Sequence, residues 1–309
     1  LEKITKTNFP NLFIPGAAKS GTSTLHDLLN QHPEISMSST KEPFHLVKDN
    51  FQFNVDKFNL KYQALFNNLE NIKYKGDSST GYMLFPNFIE NSKTHLKFEK
   101  KFIFILRNPI DRIYSHYWYI KGLGSESLDF KNAILKDKNI EPTINSMLPE
   151  GKFKNYFQYG LYSKWLEKFR SNFDSKDLKI ILFEDLKDNP LDTVNECLRF
   201  LNLSELSTLN PVESNKTVLL RHSYIYKNVL KITRSKFKLL KPISFLIPTR
   251  IKNNISEYIF SKTKSNKKYP KLSAEDRLWI ADLYKDDVLL LKKNTTIDFS
   301  KWTDFNHYV

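Results

Sequence analysis

The segment IPGAAKSGTSTLHDLL, residues 14–29, limits what this chain can fold into more than any other stretch. It follows the short apolar run at 11–14 and runs into leucines at 25, 28 and 29, so it reads as strand, glycine-bearing loop and helix. That order aims several backbone N–H groups and the positive end of a helix dipole at one point, where an anion binds. Gly16 and Gly21 have the spacing of the phosphate loop G-x-x-x-x-G-K-[ST], in which the lysine reaches the β/γ-phosphates and the next hydroxyl holds magnesium. Here Thr22 fills the lysine slot, and Lys19 lies two residues before the second glycine. The spacing sets the Lys19 ammonium beside the bound group, over a bridging atom, instead of along a polyphosphate tail. Ser20, Thr22, Ser23 and Thr24 add hydroxyl donors.

The same alternation recurs along the chain. A helix is expected over 51–70, a strand at 72–76, a turn at DSSTG, a helix near 84–96 and a strong strand at 101–106 (KFIFIL). Asn108 then caps a helix whose first residue, Pro109, has no N–H to satisfy. After a polar insertion at 121–155 come a helix at 160–172, a strand at 178–183 and a helix at 190–201. A last helix near 273–293 starts at Ser273, with Asp276 at capping-box spacing. Strands alternating with helices predict an α/β fold of the phosphate-loop type, three layers deep, with a central parallel sheet flanked by helices. Arg107 ends the strand at 101–106, the edge at which such sheets bind ligands, and its guanidinium is a planar, always-charged fork suited to a phosphate dianion.

Composition bounds the rest. The 309 residues, 40% hydrophobic and 14% aromatic, suffice for a large core in one domain, and the apolar runs are strand-length, far short of the roughly 20 residues of a membrane-spanning helix. A single cysteine, Cys197, excludes an internal disulfide and fits a reducing, cytoplasmic setting. No signal peptide is visible, although the chain begins at Leu1. The net charge of +14 favours anionic partners and is concentrated: between Lys227 and Lys271 Glu257 is the one acid. Residues 204–272 therefore read as a basic, partly irregular segment within a single domain. Its FKLLKPISFLIPTRIK stretch has the basic and apolar mixture of a surface resting on an anionic membrane. Nothing in the chain has the form of a nucleic-acid module.

These motifs together resemble the sulfotransferases that use 3′-phosphoadenosine 5′-phosphosulfate (PAPS), with greatest similarity to the carbohydrate (heparan-type) and bacterial branches. KSGTSTL resembles that family's 5′-phosphosulfate loop, and FIFILRNPIDRIYSHYWY (102–119) its 3′-phosphate motif, an arginine at a strand end and a serine eight residues on: Arg107 and Ser115. The likeness continues through KEPFHL (41–46), GDSSTGYM (76–83), YGLYSKWLEKF (159–169), LFEDLKDNP (182–190), NKT (215–217) and DFSKW (298–302). The resemblance implies PAPS as co-substrate, adenosine 3′,5′-bisphosphate (PAP) as product and no metal. It implies Lys19 as stabiliser of the leaving phosphate and Lys216 and Arg221 as further 3′-phosphate contacts. It also implies Glu42 as general base, taking the proton of a hydroxyl or amine on a saccharide, glycolipid or similar acceptor. His95, in SKTHL (92–96), resembles the catalytic histidine of the cytosolic branch and is the other candidate base, while His45 and His116 read as structural. One departure stands out: heparan 3-O-type enzymes carry a Glu-Lys-Thr-Pro-like segment where this chain has DSSTGY, so Ser78 replaces a lysine and Thr80 a proline.

Two other classes stay open at this level. A magnesium-dependent kinase or NTPase is suggested by IILFED (180–185), an apolar strand ending in acids. A non-catalytic binder of acidic glycans or nucleic acid is suggested by the basic segment. The acceptor site is expected from the loops at 41–60 and 121–158 and the basic region.

Overall fold

The computed structural model describes residues 9–47, 60, 62–67, 70–143, 147–148, 152–212, 219–220, 264–265 and 269–308. In chain order its regular elements are β1 (Leu12–Phe13), α1 (Thr22–Leu29), β2 (Ile35–Met37), β3 (Tyr74–Asp77), α2 (Pro86–His95), β4 (Lys101–Leu106), α3 (Pro109–Gly122) and α4 (Phe130–Asp137). They continue with α5 (Tyr162–Arg170), β5 (Leu178–Leu182), α6 (Phe183–Asp188), α7 (Pro190–Phe200), β6 (Leu219–Leu220), β7 (Lys264–Ser265) and α8 (Ala274–Asn294). Contacts divide the chain into two compact units, one of Leu1–Arg112, Tyr159–Asn215 and Ile280–Val309, the other of Ile113–Gln158 and Lys216–Trp279.

The first unit is built on a five-stranded, all-parallel sheet in the order β2-β3-β1-β4-β5. Strand β4 shows how the sequence makes two cores. Successive side chains of a strand point to opposite faces, and KFIFIL alternates phenylalanine with isoleucine. Ile103 and Ile105 join Leu12, Ile14 and Ile181 in an aliphatic face covered by Leu25, Leu28 and Leu29 of α1 and by Val194 and Leu198 of α7. Phe102 and Phe104 face the other way, where Phe102 stacks on Phe13 at 5.6 Å and Phe169 of α5 meets Phe104 edge-on at 4.9 Å. Phe88 of α2 completes that layer, 5.3 Å from Phe13. Each such side chain contributes about 1.5–3 kcal/mol by leaving water, which is why a sheet covered on both faces needs no polar alternation.

The second unit holds α4, whose first turn is capped by Asp129 accepting from Asn132 N at 3.0 Å. Tyr114 and Tyr117 of α3 close edge-on over Phe130 at 5.1 and 5.2 Å. Buried Glu126 pairs with Lys154 at 2.8 Å and accepts from Tyr156 Oη at 2.9 Å. Strands β6 and β7 pair antiparallel.

Several sequence expectations need adjustment. The polar insertion contains α4, and Ile35–Met37 forms an edge strand that no alternation announced. The DSSTG turn continues into a 3-10 turn at Thr80–Met83. The acids of IILFED do not end a strand, because the chain turns into α6 at Phe183. The last helix is capped as expected, Ser273 Oγ accepting from Asp276 N at 3.0 Å. Of the helix expected over 51–70, residues 60, 62–67 and 70 are described, and the basic stretch from Lys227 lies outside the described residues except at 264–265 and 269–271. Among the described residues no helix is long and apolar enough to cross a membrane.

Candidate active site

The loop between β1 and α1 is stitched into the sheet before it turns. Ala17 N donates to Ile105 O at 2.8 Å, Ile105 N to Gly16 O at 2.9 Å and Met83 N to Pro15 O at 2.9 Å, so the chain leaves β1 between β3 and β4. Gly21 caps α1 from the left-handed region (φ 88), and a Cβ there would lie 2.7 Å from the Phe183 ring. A Cβ on Gly16 would collide with the Met83 side chain. Glycine brings no side-chain cap and the first turn holds no acid, so the N–H groups that open α1 have no such partner. Ser20 is fully buried; its Oγ makes no well-aligned hydrogen bond among the described residues and has the Tyr162 hydroxyl as a polar neighbour. A glycine-lined cradle, an uncapped helix N-terminus and a buried hydroxyl without a well-aligned partner fit a phosphate-type anion. Lys19 itself sits at φ 69, a conformation that non-glycine residues hold only under constraint.

Arg107 is tied to this loop directly. Its Nη1 donates to Lys19 O at 3.2 Å, and its guanidinium lies 4.8 Å from the centroid of Phe183, the ring that Gly21 leaves room for. Tyr162 Oη donates to Arg107 O at 2.7 Å. The following Asn108 is clamped as a cap: its Oδ1 accepts from Ile110 N at 3.0 Å, its N–H donates to Glu184 at 3.0 Å and its Nδ2 to Asp304 at 2.8 Å. Glu184 also accepts from Trp302 Nε1 at 3.2 Å, and Asp185 pairs with Lys301 at 2.8 Å. The two acids that resembled a magnesium-binding strand end are thus spent on holding the RNP turn and the chain terminus in place. Ser115 is buried on α3, within the second unit, while Lys216 and Arg221 lie outside the described residues.

Glu42 belongs to the same unit as the loop. Its backbone is left-handed (φ 56), as is that of Phe44 (φ 50). Thr80 holds its carboxylate twice, N–H to Oε2 at 3.1 Å and Oγ1 to Oε1 at 2.8 Å. Ser79 Oγ accepts from Phe44 N at 3.1 Å and donates to Asp77 Oδ1 at 2.7 Å. Asp77, at the end of β3, is fully buried and takes two more hydroxyls, from Tyr62 and from Tyr82, the latter at 2.8 Å. Burial pushes the Asp77 carboxyl up to about 6 against the opposing pull of its three hydroxyl donors.

The two ends of the site meet through buried tyrosines. Burial raises the Tyr159 phenol, with the Glu42 charge adding to it and Arg112 opposing. Burial likewise pushes Tyr162 up to about 12 against the charge of Arg112. Arg112, fully buried, lies 6.0 Å from the Tyr159 ring centroid. Arg107, Tyr162, Arg112, Tyr159 and Glu42 therefore form one polar seam in the first unit.

His95 falls elsewhere. It ends α2, ahead of the amino end of β4, whereas Arg107 follows the carboxyl end, a strand length of about 20 Å away. His45 stacks on Tyr62 at 4.4 Å and His116 bonds Phe153 O at 3.0 Å, both structural contacts. His26 was not singled out by sequence. Its Nδ1 is 2.8 Å from Ser78 Oγ, and burial with the nearby Lys41 charge pushes it down to about 4, so it is neutral. Asp77, Ser79, Tyr159 and Tyr162 were likewise visible only as letters of quoted motifs, and Thr80 only as a replaced proline.

Known proteins share the family and the fold of this chain. The sulfotransferase-domain family profile matches residues 9–288. Carbohydrate sulfotransferase 15 of Homo sapiens is 23% identical over 249 residues, 64% of this chain and 44% of that protein. Bifunctional heparan sulfate N-deacetylase/N-sulfotransferase 2 of Bos taurus is 22% identical over 309 residues, 94% of this chain and 30% of that protein. The chain thus spans less than half the length of these curated relatives. A solved sulfotransferase from Alicyclobacillus acidocaldarius superposes with a TM-score of 0.64 at 22% identity, over 95% of this chain and 98% of that one, which shows a shared fold.

Proposed function

The chain belongs to the sulfotransferase-domain family, and on that premise we propose that it moves the sulfuryl group of PAPS to a hydroxyl or amine of a saccharide or glycolipid. The observation that carries the reading is the bond from Arg107 to the Lys19 carbonyl, because it joins the two motifs, loop and strand end, into one site. The family match runs continuously through both compact units, which supports reading the chain as one sulfotransferase domain.

PAPS, when bound, supplies a sulfuryl group joined through a bridging oxygen to a 5′-phosphate. The N–H groups opening α1, Ser20 and the hydroxyls of Thr22, Ser23 and Thr24 hold that phosphate, with Gly21 keeping the approach clear. For the 3′-phosphate, the resemblance implies Arg107, Ser115, Lys216 and Arg221 as contacts. Lys19 neutralises the charge that develops on the bridging oxygen as its bond to sulfur breaks, the type of electrostatic stabilisation that dominates many transfer reactions. Glu42 accepts the proton of the acceptor as its oxygen or nitrogen bonds to sulfur. No step in this scheme assigns a role to a metal.

The test is transfer of labelled sulfate from PAPS in the presence of a chelator, across glycan, glycolipid and phenol acceptors, with Lys19→Ala and Glu42→Ala as controls. Transfer to saccharide acceptors that both substitutions abolish supports the reading. Thermal stabilisation by ATP with magnesium, and none by PAP, overturns it.

A further inference from the structure

Glu42 and Phe44 both hold positive φ (56 and 50), which costs an L residue roughly 1–2 kcal/mol each. A segment that keeps two such residues within three positions must be held from outside. Among the described residues, Ser79 and Thr80, just past the carboxyl end of β3, hold it. Ser79 takes the segment by its backbone, accepting from Phe44 N, and is itself anchored on the buried Asp77 carboxyl, which Tyr62 and Tyr82 fix in turn. Thr80 takes it by the side chain, with one donor on each oxygen of the Glu42 carboxylate. Two donors from one residue, on two different oxygens, stop the carboxylate from rotating. A carboxylate oxygen has two lone-pair directions, and Thr80 takes one on each.

We propose that Thr80, backed by the Asp77–Ser79 pair, is the positioning residue for the proton acceptor of the reaction: its hydroxyl sets the rotation of the Glu42 carboxylate so that the lone pairs it does not take face the attacking group. The inference rests on the reading of Glu42 as base and adds a residue to it. Thr80 is itself buried, 5% exposed, and acts through Glu42. With Oγ1 removed, the carboxylate pivots on the single remaining N–H bond.

The test uses the whole chain and compares Thr80→Val, which keeps the shape and the N–H, with Thr80→Ser, which keeps the hydroxyl. Thr80→Val is expected to lower kcat about 10–100-fold, the scale of a misplaced reacting group, with KM for PAPS unchanged and the melting temperature lowered by a few degrees, because Glu42 and the buried Tyr159 hydroxyl each lose a partner. Thr80→Ser restores kcat to within a few-fold. Ser79→Ala, which frees the Phe44 amide, lowers kcat in the same direction. In a Glu42→Gln background Thr80→Val has no further effect on kcat, because the group it positions is already disabled. A Thr80→Val protein with parental kcat, or one whose loss is equal in both backgrounds, overturns the positioning role. Full activity in Glu42→Gln instead overturns the reading of Glu42 as base, so the two failures are distinguishable.

Discussion

Two segments border the proposed reaction centre, and they are finished to different degrees. The loop from Gly16 to Thr24 is open where it enters α1: Gly21 gives the helix no side-chain cap, its first turn holds no acid, and the buried Ser20 hydroxyl makes no well-aligned hydrogen bond among the described residues. The segment from Glu42 to Phe44 is closed, its carboxylate doubly bonded and its backbone tied to a buried carboxyl with three hydroxyl donors. An open cradle is completed by an anionic ligand and gives up affinity when altered. A closed scaffold holds a group whose geometry must be right before the ligand arrives, and gives up rate.

The sharpest way to break that contrast is at the two named side chains. Glu42→Gln keeps the shape but not the proton-accepting charge, and is expected to lower kcat about 10²–10⁴-fold with PAP affinity unchanged, checked by single-turnover transfer beside PAP titration. Lys19→Ala is expected to lower kcat about 10²–10³-fold, the cost of removing one stabiliser of developing charge. Because Lys19 also borders the bound anion, PAP affinity falls with it, and calorimetric titration separates the two. If Glu42→Gln weakened PAP as much as Lys19→Ala does, the division into cradle and scaffold would be wrong.

Gly21→Ala probes the open side through packing alone. Alanine at φ 88 is strained, and its Cβ would press on Phe183, over which Arg107 rests. Strain and overpacking together predict a loss of about 2–4 kcal/mol in stability, read by denaturant unfolding. PAP binding weakens as well, since the push on Phe183 is passed to Arg107.

The contrast also explains which parts were legible in the sequence. The cradle was, because its needs are local: glycine where a Cβ cannot fit, hydroxyls in a run, a strand before and a helix after. Strand β4 was equally plain, since its alternation of phenylalanine and isoleucine matches the two faces of the sheet. The scaffold was not. Glu42 entered by resemblance, and Thr80 was noticed as a missing proline, whereas its function depends on a contact 38 positions away in sequence. Strand β2, three residues of Ile-Ser-Met, is too short for periodicity and exists because β3 lies beside it. The acids of IILFED misled for the same reason, because their partners Asn108, Trp302 and Lys301 come from distant turns.

The closed scaffold carries one further signature, in pH. The Asp77 carboxyl is pushed up to about 6 by burial, above its unfolded value. Below about pH 4 both states are protonated and its contribution to stability is complete. Between about pH 4 and 6 the unfolded chain releases the proton that the folded chain keeps, so stability falls as pH rises and stays lower above that window. A rise of that size corresponds to roughly 3 kcal/mol. His26, pushed down to about 4, acts in the opposite direction over nearly the same range, and Asp287, pushed up to about 6, acts in the same direction as Asp77. The raw stability curve therefore hides the Asp77 contribution, but the difference between the parent and Asp77→Asn does not, because the other groups are common to both. That difference is expected to shift against the parent by a few kcal/mol from pH 4 to 7, measured by urea unfolding at each pH. A difference independent of pH would mean that Asp77 is already ionised at pH 4, with its three hydroxyl donors outweighing its burial.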